Sequence, residues 1–163
     1  MEILLYPNSV LRKKCEKVQD IDEEVIRIAR SMEEAMYKAK GVGLAAPQVG
    51  IIRQIITLDV GDGLITLINP EITFFEGEIK TDEGCLCLPK ITVAVPRHER
   101  VQVTGIDLKG KINTFDAEGL LSRAFQHEID HLKGKLIIDK LSKIKRDLTI
   151  KKYKKLNLEE EEE

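Results

Sequence analysis

A chain of 163 residues can bury one hydrophobic core but not several, so a single domain spanning 1–163 is expected. Its 42% hydrophobic and 33% charged residues exclude intrinsic disorder, and no window approaches the roughly 18 apolar residues of a membrane span. The net charge of −2 carries no signal for nucleic acid by itself, and Met1 to Pro7 show no basic region or cleavage site, which predicts a cytoplasmic protein.

The first predicted helix runs from Asp22 to Lys40. Val25, Ile28, Ala29, Met32, Met36 and Ala39 recur at helical spacing, Asp20 or Asp22 caps the start, and Gly41 stops it. Gly41 to Gly50 reads as a loop of small residues whose backbone can approach another group closely; it lacks the lysine and hydroxyl of a phosphate-binding loop. Strand-like runs follow over Ile51 to Val60, Leu64 to Asn69, Ile72 to Phe75, Ile91 to Val95, Val101 to Leu108 and Lys111 to Phe115. Glu118 to Lys133 is the second helix, closed by Gly134, and Ser142 to Asn157 a third, short and basic one. Helix, antiparallel strands, helix is an α+β order, with strands packed around the second helix and other helices at the N- and C-terminal ends.

That second helix carries the chemistry. In Gln126-His127-Glu128-Ile129-Asp130-His131-Leu132 the two histidines stand four apart, one above the other on a helix face, and can grip one metal ion. Glu128 beside them is placed to take a proton from a water on that metal, which is the chemistry of amide hydrolysis. Catalytic sites usually take three protein ligands plus water, and Glu83-Gly84-Cys85-Leu86-Cys87 offers Cys85 as the third. Three cysteines in a reducing compartment suit metal ligation or free thiols better than disulfides. Taken singly, Cys85 reads as a small buried hydrophobe, Gln48 as a turn residue and His98 as a surface histidine.

Together, Gly41-Val42-Gly43-Leu44-Ala45-Ala46-Pro47-Gln48, Glu83-Gly84-Cys85-Leu86 and Gln126-His127-Glu128-Ile129-Asp130-His131-Leu132 resemble the three signatures of the peptide deformylases, in order and at family-like separations. The resemblance extends from Tyr6-Pro7 and Leu11-Arg12 to about Leu141. It implies removal of the N-terminal formyl group from the formyl-methionine of newly made polypeptides, by attack of a metal-bound hydroxide, with release of formate. Cys85, His127 and His131 are then the metal ligands and Glu128 the general acid/base. Gln48 and the backbone N–H of Leu86 hold the developing oxyanion, and Gly43 bonds the substrate backbone. The resemblance implies Fe²⁺ as the metal, with Zn²⁺, Ni²⁺ or Co²⁺ able to occupy the site. Val42, Leu120, Ala124 and the stem of Arg123 are the expected walls of a methionine pocket.

Cys87 departs from the family, which usually has serine there. If Cys85 and Cys87 share a strand, their side chains face the same way, and with His127 and His131 could close a four-ligand structural zinc site without catalysis. A metallopeptidase cleaving ordinary peptide bonds is a further alternative. The C-terminal run holds seven basic residues and one acidic from Lys143 to Lys155, followed by an acidic tail over 159–163. It reads as a solvated, frayed tail or as a weak, salt-sensitive contact with ribosomal RNA phosphate.

Overall fold

The computed structural model describes residues 1–162, with side chains through Asn157. Helix α1 (Glu23–Lys38) is followed by strands β1 (Gly43–Ala45), β2 (Ile55–Leu58), β3 (Ile65–Glu76), β4 (Ile79–Cys85), β5 (Leu88–Arg97), β6 (Arg100–Ile106) and β7 (Ile112–Glu118). Helices α2 (Gly119–Leu132) and α3 (Lys143–Glu162) complete it. Five strands form an antiparallel sheet in the order β1-β2-β3-β6-β7, and β4-β5 is a separate hairpin. The α+β expectation holds. Among the described residues, no helix is long and apolar enough to cross a membrane.

Helix α1 starts where Asp22 accepts a hydrogen bond from the Val25 N–H at 2.9 Å, and it buries Val25, Ala29, Met32 and Met36. Its end differs from expectation. Lys40, not Gly41, takes the left-handed conformation (φ 58°), and the N–H of Gly41 closes the motif on the carbonyl of Met36 at 3.0 Å. Gly41 is small for another reason: a Cβ there would meet Leu86 Cδ1 at 2.8 Å.

The strands also depart from the sequence reading. The glycine-rich loop contains a short strand, β1, then a single turn of 3₁₀ helix over Ala46–Val49. The run from Ile51 shrinks to the four residues of β2. The two runs on either side of Pro70 are one strand, β3, which survives the proline through a bulge. There Asn69 turns to φ 51°, and its side-chain amide bonds both the N–H and C=O of Val18 at 2.9 Å. Strand β4 lacks alternating apolar residues and was not foreseen; pairing with β5 along its length holds it.

Helix α2 packs against the sheet around Phe125, Ile129 and Leu132, over Ile56, Leu58, Val101 and Val103. It ends, as expected, on Gly134 (φ 74°), where a Cβ would overlap the Arg12 carbonyl oxygen. Helix α3 is longer than expected and is not frayed over its described part. Tyr153 is buried, donates to the Tyr6 carbonyl at 2.9 Å, and joins Leu88, Ile137 and Ile138 in one apolar cluster. The side chains of the acidic tail 159–163 lie outside the described residues.

Candidate metal centre and active site

Three structural units meet at the cleft: the β1 loop, the β4-β5 hairpin and α2. The hairpin ends at Cys85, and Leu86 and Cys87 form its turn. Helix α2 brings His127 and His131 to the same place one turn apart. One ligand atom from each of Cys85, His127 and His131 lies within 4.8 Å of the others, and Cys85 Sγ stands 3.3 Å from His131 Nε2. A thiolate and two imidazoles converging so tightly are the donor set of a borderline-soft divalent cation, so these residues fit a metal.

Groups behind the ligands fix their aim. His127 Nδ1 is 3.0 Å from Glu83 Oε1, leaving Nε2 to face the cluster. Arg97, itself buried, grips both Glu83 oxygens at 2.9 Å and reaches Asp130 Oδ2 at 2.6 Å, clamping the hairpin to α2. Burial would raise the Glu83 carboxyl, but His127 and Arg97 overcome this and hold it down to about 2. Gln126 docks the helix from the other side, donating to the His98 carbonyl and accepting from its N–H, both at 2.9 Å. His98 is therefore not a plain surface residue: it is half-buried, and its ring stacks on Phe75 with centroids 4.2 Å apart.

Glu128 is buried beside the ligands, with no hydrogen-bond partner at Oε1. Burial pushes its carboxyl up to about 7, against the pull of His127 and Arg97. A group at that value can both take and return a proton near neutral pH. Gly43 faces it so closely that any Cβ would strike its carboxylate.

Gln48 is buried with its Oε1 held by the Ala45 N–H at 2.8 Å, which turns its amide N–H toward Cys85 Sγ at 3.6 Å. Leu86 follows Cys85 in the turn and lines the cleft. Strand β1 is an edge strand, and the Asp59 N–H bonds the Val42 carbonyl at 2.9 Å. By antiparallel alternation, the N–H and C=O of the next residue, Gly43, point away from β2 into the cleft. The cleft, about 620 Å³, is also lined by Val42 and Leu120, both half-exposed, and by buried Ala124. Val42, Gly43, Gln48, Leu86, Leu120 and Ala124 thus line the same cleft as Cys85, His127 and Glu128.

Cys87 does not sit as the four-ligand alternative requires. It is in the turn, fully buried in the apolar cluster with Leu88 and Ile91, and lies outside the three-donor group, although its sulfur is 3.2 Å from that of Cys85.

The family model for polypeptide deformylase matches residues 1–147. The chain belongs to the polypeptide deformylase family. It is 50% identical over 159 residues to the peptide deformylase of Thermodesulfovibrio yellowstonii, covering 94% of this chain and 96% of that one. The crystal structure of a deformylase from Legionella pneumophila superposes with a TM-score of 0.94 at 38% identity, over 99% of this chain and 98% of that one. That of the Ehrlichia chaffeensis deformylase in complex with actinonin gives 0.92 at 34%, over 95% and 96%. The deformylase family is enzymatic and metal-dependent, in keeping with the Cys85, His127 and His131 cluster.

Signals for Arg97 and Asp130 were missed. Asp130 lies inside the helix signature and Arg97 directly before His98, but only the fold shows that Arg97 is buried between two carboxylates.

Proposed function

We propose that this chain hydrolyses the N-formyl group of formyl-methionine on newly synthesised polypeptides, with Cys85, His127 and His131 holding one divalent metal ion. The observation that carries this is the convergence of the three donor atoms beside a buried carboxyl whose pKa is raised to about 7. Such an ion, when bound, acts as a Lewis acid on the formyl carbonyl and makes water nucleophilic near neutral pH. Fe²⁺ is the proposed resident ion; Zn²⁺, Ni²⁺ and Co²⁺ suit the same donors.

The residues of this chain do the rest. Glu128 accepts a proton from the attacking water and passes it to the amine nitrogen as the C–N bond breaks, leaving formate and a free methionine amine. The Gln48 side-chain N–H and the Leu86 backbone N–H donate to the carbonyl oxygen as it gains charge, a contribution of about 2.7–4 kcal/mol per donor. The substrate backbone pairs with the outward N–H and C=O of Gly43, as a strand added to the edge of β1. Val42, Leu120 and Ala124 take the methionine side chain.

Glu128→Gln tests the assignment. It keeps the metal and the fold but loses most turnover, whereas His127→Ala and His131→Ala lose metal. Near-full activity in Glu128→Gln would remove the proton-transfer role.

We place the enzyme in the cytoplasm, where nascent chains emerge. The lysines of Lys143 to Lys155 are all exposed while Tyr153 anchors the helix, an arrangement that supports weak ribosome docking through α3. Pelleting with ribosomes at low and moderate salt, with and without residues 143–163, tests this; identical pelleting would leave only a solvated surface.

A further inference from the structure

Arg123 lies on α2 one turn before His127, so the two share a helix face, and both line the cleft. It is half-buried, yet no hydrogen bond or ion pair engages its guanidinium among the described residues. Every other half-buried or buried charge near the reacting centre has a use. Arg97 is saturated by Glu83 and Asp130, Glu83 holds His127, and Glu128 faces the ligands. Its stem packs on the cleft wall while the guanidinium, which is not among the buried unpartnered atoms, stays open to the cleft, and a planar fork is well shaped for a carboxylate. Lys40, exposed and likewise without a hydrogen bond or ion pair, lines the same cleft from the β1 side. Lys90 adds a further positive charge, and Asp82 is the opposing exposed carboxylate on the rim.

We propose that Arg123 is a specificity residue that binds a substrate carboxylate, selecting nascent chains with Asp or Glu soon after the formyl-methionine. This rests on the deformylase reading of the site. A chain paired with Gly43 lies between β1 and α2. Its residues beyond the methionine run along the cleft, whose lining includes both Lys40 and Arg123. The attraction is rim electrostatics and shows mainly in kcat/KM, with salt dependence.

The test uses metal-loaded full-length enzyme and formyl-Met peptides with Glu, Gln or Lys at the next position, each with an amidated C-terminus. Free-acid versions of the Gln peptide separate capture of a terminal carboxylate from capture of a side chain. The parent is expected to favour Glu over Lys by about fivefold in kcat/KM, the scale of a partly exposed ion pair. Raising the salt shrinks that ratio, Arg123→Gln brings it toward one, and Arg123→Glu inverts it. A role in packing alone would lower all three rates together without moving the ratio. A parent ratio of one, a ratio unchanged in both variants, or a gain confined to the free-acid peptide would overturn the proposal. Should the variants not fold, the parent ratio and its salt dependence still decide. Formate released from the Gln peptide together with a ratio of one refutes only this inference; no formate from any peptide refutes the underlying function as well.

Discussion

Gly43 and Glu128 occupy each other's space: an added Cβ at position 43 would overlap Glu128 Oε2 and sit 2.9 Å from its Cδ. The glycine in the loop therefore sets where the Glu128 carboxylate can lie. Gly43→Ala is expected to push Glu128 off position and lower kcat/KM by about a hundredfold, the scale of an ångström-sized misplacement. Metal content should stay at the parent level, because the methyl group reaches the carboxylate and not the ligands. Loss of metal in step with activity would show that Gly43 shapes the ligand cluster instead.

Glu83 and Arg97 bear on metal affinity and on stability in separable ways. Glu83→Gln keeps the shape but removes the charge that orients His127, and metal affinity should fall about 10–100-fold. Arg97→Met leaves Glu83 without its guanidinium and Asp130 with only Lys140 at 3.6 Å, with Arg97 4% and Glu83 10% exposed. That should cost about 3–5 kcal/mol of stability. Competitive metal titration and urea unfolding measure the two effects. Unchanged metal affinity in Glu83→Gln would rule out its orienting role.

Cys87 touches Cys85 at 3.2 Å between sulfurs, but its environment is apolar core. Cys87→Ser should leave metal content and turnover close to those of the parent, whereas Cys85→Ser loses both. In dilute hydrogen peroxide the parent should couple the two thiols, the peroxide taking two electrons and leaving a disulfide and two waters. The accessible thiol count then falls and the metal is released, while Cys87→Ser loses activity more slowly. A parent that holds its metal through peroxide treatment, or a Cys87→Ser variant that binds metal weakly, would contradict this.

Asp139 links α3's approach to the end of α2. Burial would raise its carboxyl, but Arg12 at 2.5 Å and the Leu136 N–H at 2.9 Å hold it below the ordinary value of 3.8. A depressed carboxylate stabilises the fold at pH values above its unfolded pKa, and the contribution disappears as pH falls through the lower folded pKa. Asp139→Asn should therefore be less stable than the parent by about 1 kcal/mol at neutral pH, discounted for the partly exposed Arg12. The difference should close under acid, and thermal melts at pH 7 and below pH 3 measure it. A gap that widens toward low pH would reverse the assigned sign.

The candidate site residues are legible because the chemistry proposed for them needs fixed local spacings. His127 and His131 declare themselves through helical geometry, and Cys85 and Gln48 through short signatures. The elements that carry them were less legible. Strand β4, with Lys80, Asp82, Glu83 and Gly84, has no apolar alternation, since one face meets α2 through polar contacts and the other meets solvent. Strand β3 looked broken at Pro70 because only the tertiary pairing of Asn69 with Val18 shows how the bulge is sustained. Arg97 was invisible for the same reason: its burial comes from β4 and α2 closing on it, and nothing nearby in the sequence signals that. Tyr153 could have been found, as an aromatic residue within a lysine-rich helix that has to meet something.

The most direct measurement compares formyl-Met and acetyl-Met peptides of the same sequence with the Fe²⁺- or Co²⁺-loaded enzyme, following formate or acetate and new free amine. Gly43, Gln48 and Glu128 line one cleft, and in the proposed reading they flank the acyl substituent closely enough to admit hydrogen and refuse methyl. The account predicts one formate for each new amine from the formyl peptide and essentially nothing from the acetyl peptide. Equal rates on both, or cleavage at internal peptide bonds, would contradict it.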